Sequence, residues 1–233
     1  MGKNKLGIYT IFAIGEILLV VIGILIALQI NTWDEKRKEV HKEIELIQLL
    51  ITDLNIKKKE NINDLSYGEI WFEQGKTILN YWEEHKDIDT TDFKKVLSRM
   101  GGDSWFFSEL SPTYIRISNS PLWEKLPDTL SEKVNEIYYS QFTMIKKAFE
   151  KSVEYGTHYK LNYLVPNSLI DTEISSIEIK KIIMGNPKRF IGYLRLYLHG
   201  LDRLNRRFIK SIELIKALVL DLNAYKNSIS VNI

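Results

Sequence analysis

Between Lys5 and Asp34 the chain is apolar almost without interruption, and its only charged side chain there is Glu16. As an α-helix, residues 6–30 (LGIYTIFAIGEILLVVIGILIALQI) would extend roughly 37 Å at 1.5 Å per residue. A hydrocarbon core is about 30 Å thick, so this segment crosses with some tilt. A cleavable signal peptide fits less well. Its apolar part would be about 7–15 residues and would end in a small-residue cleavage site, whereas this one leads through Gln29, Asn31 and Trp33 into charged sequence. Tyr9 and Trp33 are placed as anchors at opposite interfaces, where amphipathic rings are favoured.

Glu16 lies near the middle of the span. An ionised carboxylate at that depth costs at least about 2.5 kcal/mol, so it is expected to be protonated, paired or facing protein. Ala13, Glu16, Val20, Gly23 and Ala27 follow at spacings of 3, 4, 3 and 4. Such a heptad seam of mostly small residues lets membrane helices approach closely. It is the expected oligomer seam. The competing readings are a different protein as partner, or a protonated acid with no role.

Beyond Trp33 the pattern becomes amphipathic. Val40, Ile44, Ile47, Ile51 and Leu54 recur at 4, 3, 4 and 3, a coiled-coil-like stripe. Ile44 and Ile51 are in heptad phase with Glu16, Gly23 and Ile30, and no Gly or Pro intervenes, so the span is able to continue into this helix as one rod. A second helical stretch covers residues 62–84, with Leu65, Ile70, Trp71, Ile78, Leu79 and Trp82 as candidate core. Asp89-Thr90-Thr91-Asp92 caps a short helix ending at Gly101-Gly102. Residues 103–127 are irregular and aromatic, except that Ser111-Pro112 starts a short helix through Ile117.

Thr129 with Glu132 reads as a capping box for a long helix carrying Leu130, Val134, Ile137, Phe142, Ile145, Phe149 and Val153, with Gly156 as its stop. Ser175 with Glu178 caps another short helix ending near Gly185. Asn186-Pro187 opens the last helix, which is expected to reach about Tyr225. In it Leu194, Leu201, Phe208, Ile215 and Leu222 are seven apart, with Tyr197, Leu204 and Leu218 beside them. Strand signals are scarce. The expected fold is all-α: an N-terminal transmembrane helix continuing into an extramembrane antiparallel bundle of about four long helices. The organisation is a short tail (1–6), the transmembrane helix (7–31), the bundle (32–228) and a second tail (229–233).

Composition narrows the function classes. Lys+Arg 32 against Asp+Glu 30 gives a net charge of +2, which argues against a dedicated nucleic-acid binder. With no cysteine, disulfides, thiolate metal sites and a thiol nucleophile are excluded. None of His41, His85, His158 and His199 sits in an HExxH or other ligand spacing. His41 and Glu45, four apart on one helix, read as a solvated pair rather than metal ligands. There is no GxxxxGK[ST], GxGxxG or GxSxG, and Gly101-Gly102 precedes an aromatic run, so it reads as a helix stop rather than a phosphate cradle. Arg203, Arg206, Arg207 and Lys210 form a basic cluster, by default a solvated face. Trp105, Phe106, Phe107, Tyr114 and Trp123 read as core filled by a connecting loop, the alternative being a ligand or partner surface. No metal, cofactor or catalytic residue is expected.

Residues 13–35, from Ala13-Ile14-Gly15-Glu16 to Asn31-Thr32-Trp33 and Asp34-Glu35, resemble the N-terminal signature of a family of functionally uncharacterised single-pass membrane proteins from Gram-negative bacteria. The resemblance is dense over residues 9–38. Beyond it only spaced features remain, such as Ser111-Pro112-Thr113-Tyr114 and the paired Tyr138-Tyr139. It implies an inner-membrane protein whose C-terminal domain faces the periplasm; no activity comes with it. The flanking charges, Lys3 and Lys5 against Lys36, Arg37, Lys38 and Lys42, lean slightly the other way.

Two functions are therefore carried forward. One is a non-enzymatic, homo-oligomeric membrane protein presenting its bundle as scaffold or sensor. The other is a subunit of an ion- or proton-conducting assembly in which Glu16 serves the pathway beside a second membrane protein.

Overall fold

The computed structural model describes residues 4–84, 97, 107–169 and 173–231, with the backbone alone at 4–13, 83, 84, 122 and 176. Every regular element among these residues is helical. Helix α1 spans Asn4–Glu84 without a break, 81 residues. Then come α2 (Pro112–Ser118), a 3₁₀ turn (Pro121–Lys125) and α3 (Asp128–Asn135). A π turn (Glu136–Gln141) joins α3 to α4 (Phe142–Tyr159). A second π turn (Lys160–Leu164) and a 3₁₀ turn (Val165–Asn167) end that run. Helices α5 (Ser176–Gly185) and α6 (Pro187–Ser230) complete the chain. Among the described residues there are three long helical runs, because the two stretches expected on either side of residue 61 form the single helix α1. The helix expected after Asp89–Asp92 and its Gly101-Gly102 stop lie outside the described residues; Leu97 alone is described, and it is buried.

The chain divides into two compact units, Met1–Leu49 with Ala224–Ile233, and Leu50–Asn223. The larger unit is built on an antiparallel pairing of α1 and α6. As α1 advances from Asn61 to Gly68 to Gly75, α6 retreats from Ser211 to Asn205 to Leu198. Asn61 Nδ2 donates to Ser211 Oγ at 3.0 Å. A Cβ at Gly68 would fall on Asn205 Oδ1, and one at Gly75 would lie 2.6 Å from Leu198 Cδ2, so the two glycines set how closely the helices approach. Where α4 meets α6, Gly200 plays the same part: a Cβ there would lie 3.2 Å from Tyr155 Cδ2 and 3.5 Å from Ser152 Oγ. The second stretch expected from residue 62 is not a separate helix, since α1 runs through without interruption. Asn61, just before it, is buried and bonded to α6.

All eight positions expected to be core in α6 are buried, and so are Ile78, Leu130, Val134, Ile137, Phe142, Ile145 and Phe149. The step from Ile137 to Phe142 is five residues. The π turn supplies the extra residue, since i→i+5 pairing rotates the following helix by one position, and both ends stay in the core. Val153 and Ile70 are exposed instead, at 41% and 48%. Ser152, beside Val153, holds the inward position against α6.

Two helix boundaries also differ. The capping box at Thr129 and Glu132 is not used: α3 starts from Pro127 with no side-chain cap. Gly156 does not stop α4; it is buried within it, and the run ends after Asn167 at Ser168, whose φ of 56° is left-handed. By contrast Ser111 caps α2 by accepting from the Tyr114 amide at 3.0 Å. Ser175 and Glu178 form a complete capping box.

Candidate functional site

Two places concentrate side chains that call for an explanation, one in each unit. The first is the apolar part of α1. It is the one helix among the described residues long and apolar enough to cross a membrane, and none of its apolar window is buried. Ile14 to Ile30 are all exposed, Leu19 at 74%. Glu16, Val20, Gly23 and Ala27 of the expected seam share that exposure, and a Cβ added at Gly15 or Gly23 would meet nothing within 4 Å. The side chains of Ala13 and Tyr9 lie outside the described residues. Further along, Ile44 is half-buried and Ile51 is buried. A seven-residue repeat slips about 20° per heptad around a 3.6-residue helix, which takes these later positions off an exposed seam.

At the end of the apolar stretch the polar side chains pair locally. Thr32 Oγ1 donates to the Leu28 carbonyl at 2.8 Å, and Asn31 Nδ2 donates to Glu35 Oε1 at 3.1 Å. Lys38 Nζ sits 2.7 Å from Asp34 Oδ2. Their hydrogen bond lowers the Asp34 pKa and raises that of Lys38. The Arg37 guanidinium stacks 5.6 Å from the Trp33 ring centre. Leu25, Leu28, Gln29, Thr32, Trp33 and Lys36 line an open groove of about 380 Å³. In the same unit, Tyr225 Oη donates to Glu43 Oε1 at 2.7 Å and Lys226 Nζ to Gln48 Oε1 at 2.8 Å, so the end of α6 is fastened to α1. Burial, and then the Glu43 carboxylate, push the Tyr225 phenol up to about 12.

The second place is a polar knot in the larger unit. Asp53 Oδ2, on α1, accepts from Ser111 Oγ at 2.8 Å and from Tyr138 Oη at 2.5 Å. Tyr138 lies flat against Tyr114, ring centres 4.3 Å apart and planes 6° apart. Tyr114 Oη in turn donates to Asn135 Oδ1 at 2.7 Å. Trp123 and Tyr139 meet the Tyr114 ring edge-on. Burial above all, and next the hydrogen bond to the Asp53 carboxylate, raise the Tyr138 pKa far above that of a free phenol. Burial lifts Tyr114 to about 12.

The chain leading into this knot is held from three sides. Phe107 packs edge-on against Phe142 and Phe208, Lys57 Nζ reaches the Ser108 carbonyl at 3.5 Å, and Lys146 Nζ binds Glu109 at 2.6 Å. Phe107 and Tyr114 thus fill core from a connecting segment, as the aromatic content suggested; Trp105 and Phe106 lie outside the described residues.

The structure joins Ser111, Tyr114 and Tyr138, which the sequence offered only as isolated features, and adds Asp53, which carried no sequence signal. Chemically the knot is a latch: a carboxylate taking two hydroxyl donors from two other elements. Two further hydroxyls, of Tyr159 and Tyr163, are buried without a partner among the described residues, beside a π turn, their rings stacked at 5.5 Å. Among the described residues no group of three or more His, Asp and Glu side chains could hold a metal ion. Of the basic cluster on α6, Arg206 pairs with Asp202 at 2.6 Å and Arg207 points at Met144 Sδ, 3.3 Å away. His41 and Glu45 are exposed. Compared with known proteins, the chain matches no family model, no curated protein and no solved structure.

Proposed function

We propose that this chain is a single-pass protein of the bacterial inner membrane that self-associates through Ala13, Glu16, Val20, Gly23 and Ala27 and presents its helical bundle, non-enzymatically, as scaffold or sensor. The bundle is assigned to the periplasm. One observation carries the reading: a run of apolar side chains from Ile14 to Ile30 that the chain itself leaves uncovered, interrupted by a single carboxylate. Lipid can cover the apolar side chains. Glu16 is better covered by protein, and small neighbours allow a second helix to come close.

Crosslinking in membranes tests it. Wild type is expected to yield a discrete oligomer and Gly23→Ile to abolish it; a monomer in both cases refutes self-association. An introduced cysteine in the bundle, in a chain that has none, reports the side of the membrane. Labelling by an impermeant reagent only after lysis refutes the periplasmic assignment.

A second reading rests on Glu16 being the lone acid of the stretch. In it, the carboxylate serves an ion or proton pathway shared with another membrane protein. Equal flux for wild type and Glu16→Gln disposes of that reading.

A further inference from the structure

We infer that the groove from Leu25 to Lys36 seats one phospholipid with an anionic headgroup. The inference rests on the membrane-spanning reading above. The groove changes character along its length: Leu25 and Leu28 at one end, Gln29 and Thr32 in the middle, Trp33 and Lys36 at the other. At 1.5 Å per residue it covers about 16 Å, close to half of an approximately 30 Å hydrocarbon core. That is the span of an upper acyl chain plus the first polar atoms of a headgroup. Trp33 marks the level of the interface.

The charged end is basic, with three basic and two acidic side chains over residues 34–38. Asp34 is paired with Lys38 at 2.7 Å, and the Glu35 carboxylate accepts from Asn31 at 3.1 Å. By contrast, no ion pair or hydrogen bond engages Lys36 or Gln29 among the described residues. The Arg37 guanidinium is held against the Trp33 ring at 5.6 Å, one residue from Lys36. An ammonium and a nearby guanidinium suit a phosphodiester, while Gln29, about 10 Å deeper along the helix axis than Lys36, lies at the level of the acyl esters rather than of the headgroup. A choline headgroup offers no donor and brings its own cation towards Lys36.

The occupant is lipid rather than a second copy because of where the groove lies. At about 100° per residue, its lining points roughly opposite the seam of Glu16, Val20, Gly23 and Ala27. When that seam is covered by protein, the groove side turns to lipid. Two copies meeting groove to groove would set Lys36 against Lys36.

The test uses the full chain in vesicles, reading Trp33 fluorescence as the wild-type signal minus that of Trp33→Phe. Brominated phosphatidylglycerol is compared with brominated phosphatidylcholine as quencher. Half-maximal quenching is expected at about five-fold lower mole fraction of the phosphatidylglycerol, equivalent to about 1 kcal/mol per lysine near the surface. Lys36→Gln is expected to remove the difference and Lys36→Arg to restore it. Equal quenching by the two lipids, or a preference that survives Lys36→Gln, overturns the seat and leaves the span standing. Absence of quenching by either lipid overturns the span itself.

Discussion

The apolar stretch of α1 and the helix α6 are both long and rich in leucine and isoleucine, yet they solve opposite problems. In α6 the apolar residues recur at heptad spacing, and Leu194, Leu204, Phe208, Ile215 and Leu222 are completely buried. In residues 14–30 no side chain is covered. Spacing, more than composition, separates the two. A stripe leaves the rest of the helix polar, so one neighbouring face is enough to remove it from water. A helix apolar on every side needs a surrounding medium. The contrast also separates the glycines: Gly68 and Gly75 mark where another helix already touches, and Gly23 marks where none does among the described residues.

Truncation should break this comparison most sharply. Phe208 is completely buried and touches Phe107, so Phe208→Ala is expected to destabilise the bundle by about 3–5 kcal/mol. Leu19→Ala removes a side chain that the chain does not cover, and should leave the bundle's stability within about 0.5 kcal/mol. Denaturant titration of the two detergent-solubilised variants, followed by near-UV circular dichroism, measures both. Equal losses would mean that the apolar stretch is packed against the bundle after all.

Alkaline pH is the next lever, and it acts on the bundle alone. Tyr138 is held neutral in the fold by burial and by Asp53, so its folded pKa lies above its unfolded value near 10. Its contribution is therefore complete below about pH 10 and is lost as pH rises above that. The expected slope is about 1.4 kcal/mol per pH unit for this one group. Tyr114 and Tyr163, raised by burial to about 12, add to the same loss. Tyr138→Phe is expected to make the decline between pH 10 and 12 shallower by one proton. At pH 7 it should cost about 1–2 kcal/mol through the donor withdrawn from Asp53. An unchanged slope would mean that Tyr138 is not held neutral there.

Glycine substitutions sharpen the comparison further. Alanine at Gly75 gains about 0.8–1.0 kcal/mol of helix propensity, but its Cβ would sit 2.6 Å from Leu198 Cδ2 in a closed core. Overpacking costs about 1–3 kcal/mol, so a net loss of about 1 kcal/mol is expected in thermal denaturation. Alanine at Gly23 meets nothing within 4 Å among the described residues. A loss of oligomer there, with no change in the bundle's melting, would locate a second helix at that glycine.

How much of this was legible in sequence follows from the same physics. The heptads of α6, the caps at Ser111 and Ser175, and the apolar run of α1 are local patterns, and the structure follows them. Contacts set by distant partners were not legible. Asn61 carried no signal in the sequence, because its partner Ser211 is 150 residues away. Asp53 likewise carried no signal, because Ser111 and Tyr138 reach it from two other elements. Gly156 looked like a stop because glycine is a poor helix former, although a buried site within a longer run tolerates it. The five-residue step from Ile137 to Phe142 was visible, but its meaning as a π turn was not.

The smallest effect belongs to the surface. Lys133 Nζ lies 2.7 Å from Asp221 Oδ2, linking α3 to α6, with both side chains about half exposed. Exposed pairs of this kind contribute between about 0 and 1 kcal/mol, because water competes for both charges and two long side chains must be ordered. Lys133→Ala is therefore expected to change stability by less than about 0.5 kcal/mol, and raising the salt concentration should erase that difference. The latch at Asp53 joins elements in the same way, but its two donors, Ser111 and Tyr138, are buried, so its contribution should persist at high salt. Measuring Lys133→Ala and Tyr138→Phe side by side across a salt series thus asks whether the bundle is held by its interior. A Lys133→Ala loss that equals the Tyr138→Phe loss and resists salt would show that it is not.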